Sequence, residues 1–299
     1  MDEQRISPPS AATVTEPRSS RPSTGGKIIA QRHTLIGRAI CRQQAVDSSG
    51  SGRYRRNVPA ASGPFIGAAV LVHGLWGNPH DWRWVKGLLE DADVQVITPD
   101  LPSHRTPMAG LVEDAAEVRD AIRACAPPVA AVGWSYGGSV IGVAATWDAS
   151  VSRLIYVNDI PRPAGFPAEH LGWIDADPHV LVLTDGRFVP DNEYWLNEGD
   201  GTTFPAEIRR HFRDHPRRPV TRATLGARPE AAWETTPTSV LIGDRDNLGP
   251  EVDRKWAQDH LDDIRVINTD HFIIFRHPEV VAQLVLEALG RTLDVPHRG

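Results

Sequence analysis

The sequence predicts an α/β fold: a mostly parallel sheet flanked by helices, with a cap inserted after the strand that follows a nucleophile elbow. Three observations predict it. Gly133-Trp134-Ser135-Tyr136-Gly137 fits G-x-S-x-G, the turn that carries a serine from a strand into a helix. Strand-length apolar runs alternate with amphipathic stretches on both sides of that turn. The alternation breaks only between about residues 162 and 235, which marks an insertion.

Residues 1–62 are rich in Ser, Pro, Arg and Gly and are expected to form a disordered basic tail, with Ser48-Ser49-Gly50-Ser51-Gly52 as a flexible linker. Residues 63–299 are expected to fold as one domain. Phe65 to Val72 is a continuous apolar run, as for a strand buried on both faces. Asp81 to Glu90 reads as an amphipathic helix through Trp82, Val85, Leu88 and Leu89. Val94 to Thr98 is a strand. Leu111 to Cys125 is a helix with Val112, Ala115, Val118, Ile122 and Ala124 at helical spacing. Pro128 to Val132 is the strand into the elbow. Gly138 to Trp147 is the buried helix after it, whose Gly138, Gly142, Ala144 and Ala145 let it lie close on the sheet. Val151 to Val157 is the next strand. Within the cap, His179–Thr184 and Arg187–Val189 flank Asp185-Gly186 as a hairpin. The alternation resumes with strand Ser239–Ile242, helix Glu251–His260, strand Ile264–Ile267 and helix Pro278–Leu293. Strands and helices in this order imply right-handed parallel crossovers.

The chain has 299 residues, and its net charge of −6 is unevenly placed. Residues 1–60 hold ten basic and four acidic residues, so the remainder carries −12. An acidic body argues against nucleic acid as a partner of the folded domain. No apolar run approaches the ~18 residues of a membrane span, so no membrane partner is expected. Cys41 and Cys125 are the only cysteines, which leaves no disulfide framework and no Cys-rich zinc site. The polar start Met1-Asp2-Glu3-Gln4-Arg5 lacks the order of a signal peptide, and a cytoplasmic location is the expectation. The histidines show no H-E-x-x-H spacing, so neither a metal nor a cofactor is expected.

A serine hydroxyl is a poor nucleophile. It needs a base in hydrogen-bond reach and a third group to orient that base. Behind a strand–turn–helix serine these partners follow in chain order, acid and then histidine. The acid belongs after the first strand beyond the cap, where the chain reads Gly243-Asp244-Arg245-Asp246. Asp246 is the candidate and Asp244 its rival. The histidine belongs after the last strand, at Asn268-Thr269-Asp270-His271-Phe272. His271 is the candidate base, and His277, at the start of the final helix, is read as a surface or capping residue. Both positions lie at strand C-terminal ends, where ligands gather in an open α/β sheet. The oxyanion needs two preorganised donors. The N–H of Tyr136 is one, and the N–H of Leu75, in the loop His73-Gly74-Leu75, is the other. His73 is read as a brace for that loop. Trp76, Trp134, Trp173, Trp195 and Phe272 are candidate substrate contacts.

With these residues in view, the sequence resembles α/β-hydrolases, in the branch of plant methyl-ester esterases, hydroxynitrile lyases and related bacterial esterases. Val70-Leu71-Val72-His73-Gly74-Leu75-Trp76 matches the strand leading into H-G-x. Asp100-Leu101-Pro102-Ser103-His104 is similar to the family's D-L-P-G-H, and Leu154 to Asp159 to its strand after the elbow. Asp246 with Pro250, and His271 with Pro278-Glu279, are similar to its acid and base regions. The resemblance covers about Phe65 to Leu293. Two departures stand out. Trp134 occupies the position before the nucleophile where the family usually has His. The hydroxynitrile lyases carry Lys just after the catalytic His and Thr in the first loop, whereas this chain has Phe272 and Gly74-Leu75.

The expectation is a cofactor-free serine hydrolase of small carboxylic esters, monomeric or homodimeric, with a small-molecule ester as its partner. The alternatives are a lactonase or a hydroxynitrile-lyase-like C–C lyase on the same triad, and a ligand-binding member of the fold with low turnover.

Overall fold

The computed structural model describes residues 66–146, 148–165, 177–193, 203–246 and 251–291. The tail and linker, Trp173 and Trp195 lie outside the described residues.

Six strands form one parallel sheet: β1 (Ala68–Val72), β2 (Gln95–Ile97), β3 (Val129–Trp134), β4 (Val151–Val157), β7 (Thr238–Gly243) and β8 (Ile264–Ile267), in the spatial order β2-β1-β3-β4-β7-β8. The cap contributes an antiparallel pair, β5 (Val180–Val182) and β6 (Phe188–Pro190). The helices are α1 (Arg83–Glu90), α2 (Leu111–Arg123), α3 (Tyr136–Ala144), α4 (Ala206–Asp214) in the cap, α5 (Glu251–His260), α6 (Ile273–Arg276) and α7 (Pro278–Ala288).

The apolar runs of the central strands are continuous because both faces are covered. Alternate residues of β1 divide between two cores. Val70 and Val72 pack with Val118, Ile122, Val140 and Ile141 of α2 and α3. Ala69 and Leu71 pack on the other face with Val85, Leu89, Ile273, Leu284 and Val285 of α1, α6 and α7. The chain leaves β1 for the β2 edge and then returns past β1 to β3. The loops after β1 and β3 therefore diverge from one point at the C-terminal side of the sheet, where open α/β sheets bind ligands.

Several expected elements differ at their ends. The helix expected from Asp81 begins at Arg83, because Pro79–Trp82 forms a 3-10 turn capped by Asn78. There the Asn78 side chain accepts from His80 N, and Asp81 accepts from Asn78 N. Val112, counted with the apolar stripe of α2, is 60% exposed, and Ala124, counted with it too, is an exposed C-cap; Leu111, Ala115, Val118 and Ile122 are the buried apolar set. The last helix stops at Ala288, and Gly290 takes up φ +80°, a conformation that ends helices. The hairpin pairs Val182 with Phe188, so five residues span the turn rather than two. Within it Gly186 N–H donates to Leu183 O at 3.0 Å, and the Asp185 carboxylate accepts from Arg187 N at 3.1 Å.

Candidate active site

Ser135 sits between β3 and α3 at φ 53°, ψ −127°, a conformation that a residue with a side chain adopts only under strain. Its N–H donates to Val157 O at 2.9 Å, and its carbonyl accepts from Gly138 N at 2.8 Å. The flanking glycines are sterically required. A Cβ on Gly133 would strike the Gly137 carbonyl, and one on Gly137 would strike the carbonyl of Val72. Tightness on both sides drives the serine outward at the end of the strand.

Asp246, at the turn after β7, is 5% exposed, and its Oδ2 lies 2.9 Å from His271 Nδ1. A carboxylate only accepts, so Nδ1 carries the proton and the lone pair is left on Nε2. Asp244 is exposed and accepts from Thr269 N at 3.1 Å, so the rival acid braces the turn instead. Asp270 accepts from Phe272 N and from Arg276 Nε. His277 stands beside Glu279 at the start of α7. Ser135 Oγ makes no hydrogen bond to His271 here; such contacts often tighten only with substrate bound. What joins the two is Trp134, whose indole N–H donates to His271 O at 2.9 Å.

The first loop packs directly on Ser135: a Cβ on Gly74 would lie 3.2 Å from Ser135 Cβ and 3.0 Å from the Trp134 ring. Tyr136 is the first residue of α3, so its N–H has no partner within the helix. Leu75 follows Gly74 and is half-buried. His73 braces this loop. Burial lowers its pKa to about 4, so the ring is neutral. Its Nδ1–H donates to Gly74 O at 3.0 Å, and its Nε2 accepts from Leu101 N at 3.4 Å and Arg218 Nη2 at 3.3 Å.

Arg217 and Arg218 of the cap are additions that the sequence reading did not single out. Arg218 donates from its backbone N to Trp76 O at 2.8 Å, from Nε to Gly77 O at 2.8 Å and from Nη1 to Asp100 Oδ1 at 2.6 Å. Arg217 grips the buried Asp81 with two hydrogen bonds, at 2.8 and 3.0 Å, and His211 Nε2 lies 3.0 Å from the same carboxylate. Burial alone would raise the Asp81 carboxyl, but Arg217 and His211 override it and hold it well below the usual carboxylate range. The cap is thereby fastened to the loop that carries Leu75. The only sequence signal was a pair of adjacent arginines after His215-Pro216, with partners more than a hundred residues away.

Behind the elbow lies a buried polar chain. Tyr136 Oη donates to Asp114 Oδ2 at 2.7 Å, and Ser103 donates to the same carboxylate from Oγ at 2.5 Å and from N at 2.8 Å. Burial raises the Asp114 pKa against these bonds. Three of the candidate substrate contacts are buried. Trp76, at φ 62°, donates its indole N–H to Phe188 O at 3.2 Å. Phe272 packs among Phe204, Phe212, Phe275 and Trp134. Among the described residues, no three His, Cys, Asp or Glu side chains converge as metal ligands would.

Residues 69–284 match the model of the alpha/beta hydrolase family. No curated protein sequence matches the chain. Among solved structures, a pyrethroid hydrolase from Sphingobium faniae JZ-2 is similar at TM-score 0.60 and 19% identity, over 75% of this chain and 97% of that one. A methylesterase from Arabidopsis gives 0.57 and 19%, over 75% and 98%. Polyneuridine aldehyde esterase gives 0.57 and 17%, over 74% and 98%. With the serine turn, the parallel sheet and the cap insertion in place, and with a match that spans most of the sequence, the chain belongs to the alpha/beta hydrolase family.

Proposed function

We propose that this chain is a serine hydrolase of small carboxylic esters, working through an acyl-enzyme. The observation that carries the reading is the buried Asp246–His271 hydrogen bond at 2.9 Å beside the strained Ser135 turn. In this mechanism His271 Nε2 takes the proton of Ser135 as Oγ forms a bond to the ester carbonyl carbon. The oxyanion is met by the N–H groups of Leu75 and Tyr136. His271 then returns the proton to the departing alcohol as the C–O bond breaks. A water molecule deprotonated by His271 attacks the acyl carbon, the bond to Ser135 Oγ breaks to release the acid, and His271 returns the proton to Oγ. Asp246 holds the ring with Nδ1 protonated and stabilises the imidazolium.

The neighbours named as a pyrethroid hydrolase, a methylesterase and an esterase favour an ester substrate. Phe272 in its aromatic cluster puts no cation beside His271, which favours acyl transfer over cyanide release. A fluorophosphonate probe should label wild type and fail to label Ser135→Ala. Alcohol release from a panel of p-nitrophenyl esters, methyl esters and lactones should depend on Ser135. Cyanide release from mandelonitrile that vanishes in Ser135→Ala, with no ester turned over, would replace the hydrolase by a lyase.

A further inference from the structure

The three catalytic candidates come from three separate loops, and one side chain outside them touches the framework of two. Asn158 follows β4, is 8% exposed and adopts φ 46°, in the left-handed region where asparagine is one of the few tolerated residues. Its backbone N–H donates to Leu241 O at 2.8 Å. Its Oδ1 accepts from Gly243 N at 2.7 Å, at the start of the turn that carries Asp246. Its Nδ2 donates to Asp270 O at 3.0 Å, in the peptide bonded to His271. The two partners are one N–H and one C=O, so only one orientation of the amide satisfies both. The preceding residue, Val157, accepts the N–H of Ser135. The end of β4 thus reaches the serine turn, the acid turn and the histidine loop within two consecutive residues.

The acid turn and histidine loop also touch each other. Arg245 N–H donates to Thr269 O at 3.0 Å, and a Cβ on Gly243 would strike that same carbonyl. Those contacts join the two loops to one another but not to the nucleophile. Trp134 ties the serine turn to the histidine loop alone, whereas the end of β4 at Val157 and Asn158 ties it to both loops. We infer that Asn158 is a positioning residue that fixes Asp246 and His271 as a unit relative to Ser135.

The inference rests on the triad reading above, and its test has a readout that needs no substrate. The proton shared by His271 Nδ1 and Asp246 gives a low-field imidazole N–H resonance in proton NMR. Asn158→Gly keeps the backbone conformation and removes both side-chain bonds. Asn158→Asp keeps an acceptor for Gly243 and loses the donor to Asp270. Both variants should melt cooperatively, lose or broaden the low-field resonance, and drop in kcat by ~10- to 100-fold with KM nearly unchanged. An unchanged resonance and kcat in both would overturn the inference. Loss of cooperative melting in both would also overturn it, by making Asn158 a residue of fold stability. If wild type turns over no ester but the resonance is still lost in Asn158→Gly, the positioning role stands and the esterase reading fails.

Discussion

Trp134 donates its indole N–H to the backbone carbonyl of His271 at 2.9 Å, so the residue before Ser135 holds the loop of His271. The two rings lie 5.6 Å apart, and the indole is also packed edge-on to Phe275. Trp134→Phe keeps an aromatic ring and deletes the donor. We expect a stability loss of about 1 kcal/mol from the unpaired buried carbonyl, and a kcat lowered severalfold with KM little changed. Urea denaturation and steady-state kinetics measure the two effects. Wild-type values for both would show that the hydrogen bond has no consequence.

Ser135, His271 and Asp246, the proposed triad, should behave as one unit. Ser135→Ala and His271→Ala should each lower kcat by ~10⁴ or more, and the double variant should lose about as much as either single one. Asp246→Asn should reduce kcat less than the serine change does. Asp244→Asn, which alters an exposed turn brace, should leave kcat within about twofold of wild type. A larger effect at Asp244 than at Asp246 would reverse the assignment of the acid.

His73 sets a pH window for stability. Its folded pKa is lowered to about 4 from 6.5 by burial, so the unfolded chain binds a proton there more readily than the folded one. Stability from this group is complete above pH 6.5 and is lost as pH falls from 6.5 to about 4, by up to about 3 kcal/mol. His104, whose pKa burial also lowers, acts in the same direction. His73→Asn should flatten this fall without abolishing it. Equal slopes for variant and wild type in denaturation between pH 4 and 6.5 would count against a neutral buried His73.

The cap fastening separates into two effects. Arg217→Met strips the buried Asp81 of its cationic partner and should destabilise the protein by about 3 kcal/mol or more. Arg218→Met frees the carbonyl of Gly77 and the Asp100 carboxylate, and loosens the loop that carries Leu75. It should lower kcat by ~10-fold or more, while the low-field His271–Asp246 resonance is retained. Thermal melts and kinetics on both variants resolve the pair. An Arg218→Met enzyme with full kcat would separate the oxyanion loop from cap control.

Much of the architecture was legible because it depends on local pattern. β4, β8 and helix α5 run between the residues that the apolar periodicity marked, and the Gly133 and Gly137 flanks identify the serine turn by steric necessity alone. Asp246 was chosen over Asp244 by chain order and resemblance, and its carboxylate is the one that lies 2.9 Å from His271 Nδ1. The illegible parts depend on distant partners. Nothing near Asn158 tells that its amide meets Gly243 and Asp270, and nothing near Arg218 points to Trp76 and Gly77. Val112 was misplaced because a periodic stripe marks a face without marking its edge. Trp134 looked like a pocket residue, and only the packed structure shows its N–H turned to the histidine loop.

The sheet order also has a consequence for how the site comes into being. β4 and β7 are neighbours in register, Leu154 to Thr238 through Val157 to Leu241, yet residues 158–237 lie between them. Closing so long an interval is entropically slow, and pairings of this kind retard folding. The loops after β1 and β3 hold Leu75, Ser135 and Tyr136, while those after β7 and β8 bring Asp246 and His271, the proposed acid and base. The two groups of strands pair along the β4–β7 seam, and the Trp134 indole bond to His271 O is a second crossing between them. Denaturant that opens the β4–β7 seam first should abolish the proposed ester hydrolysis while most of the helical signal persists.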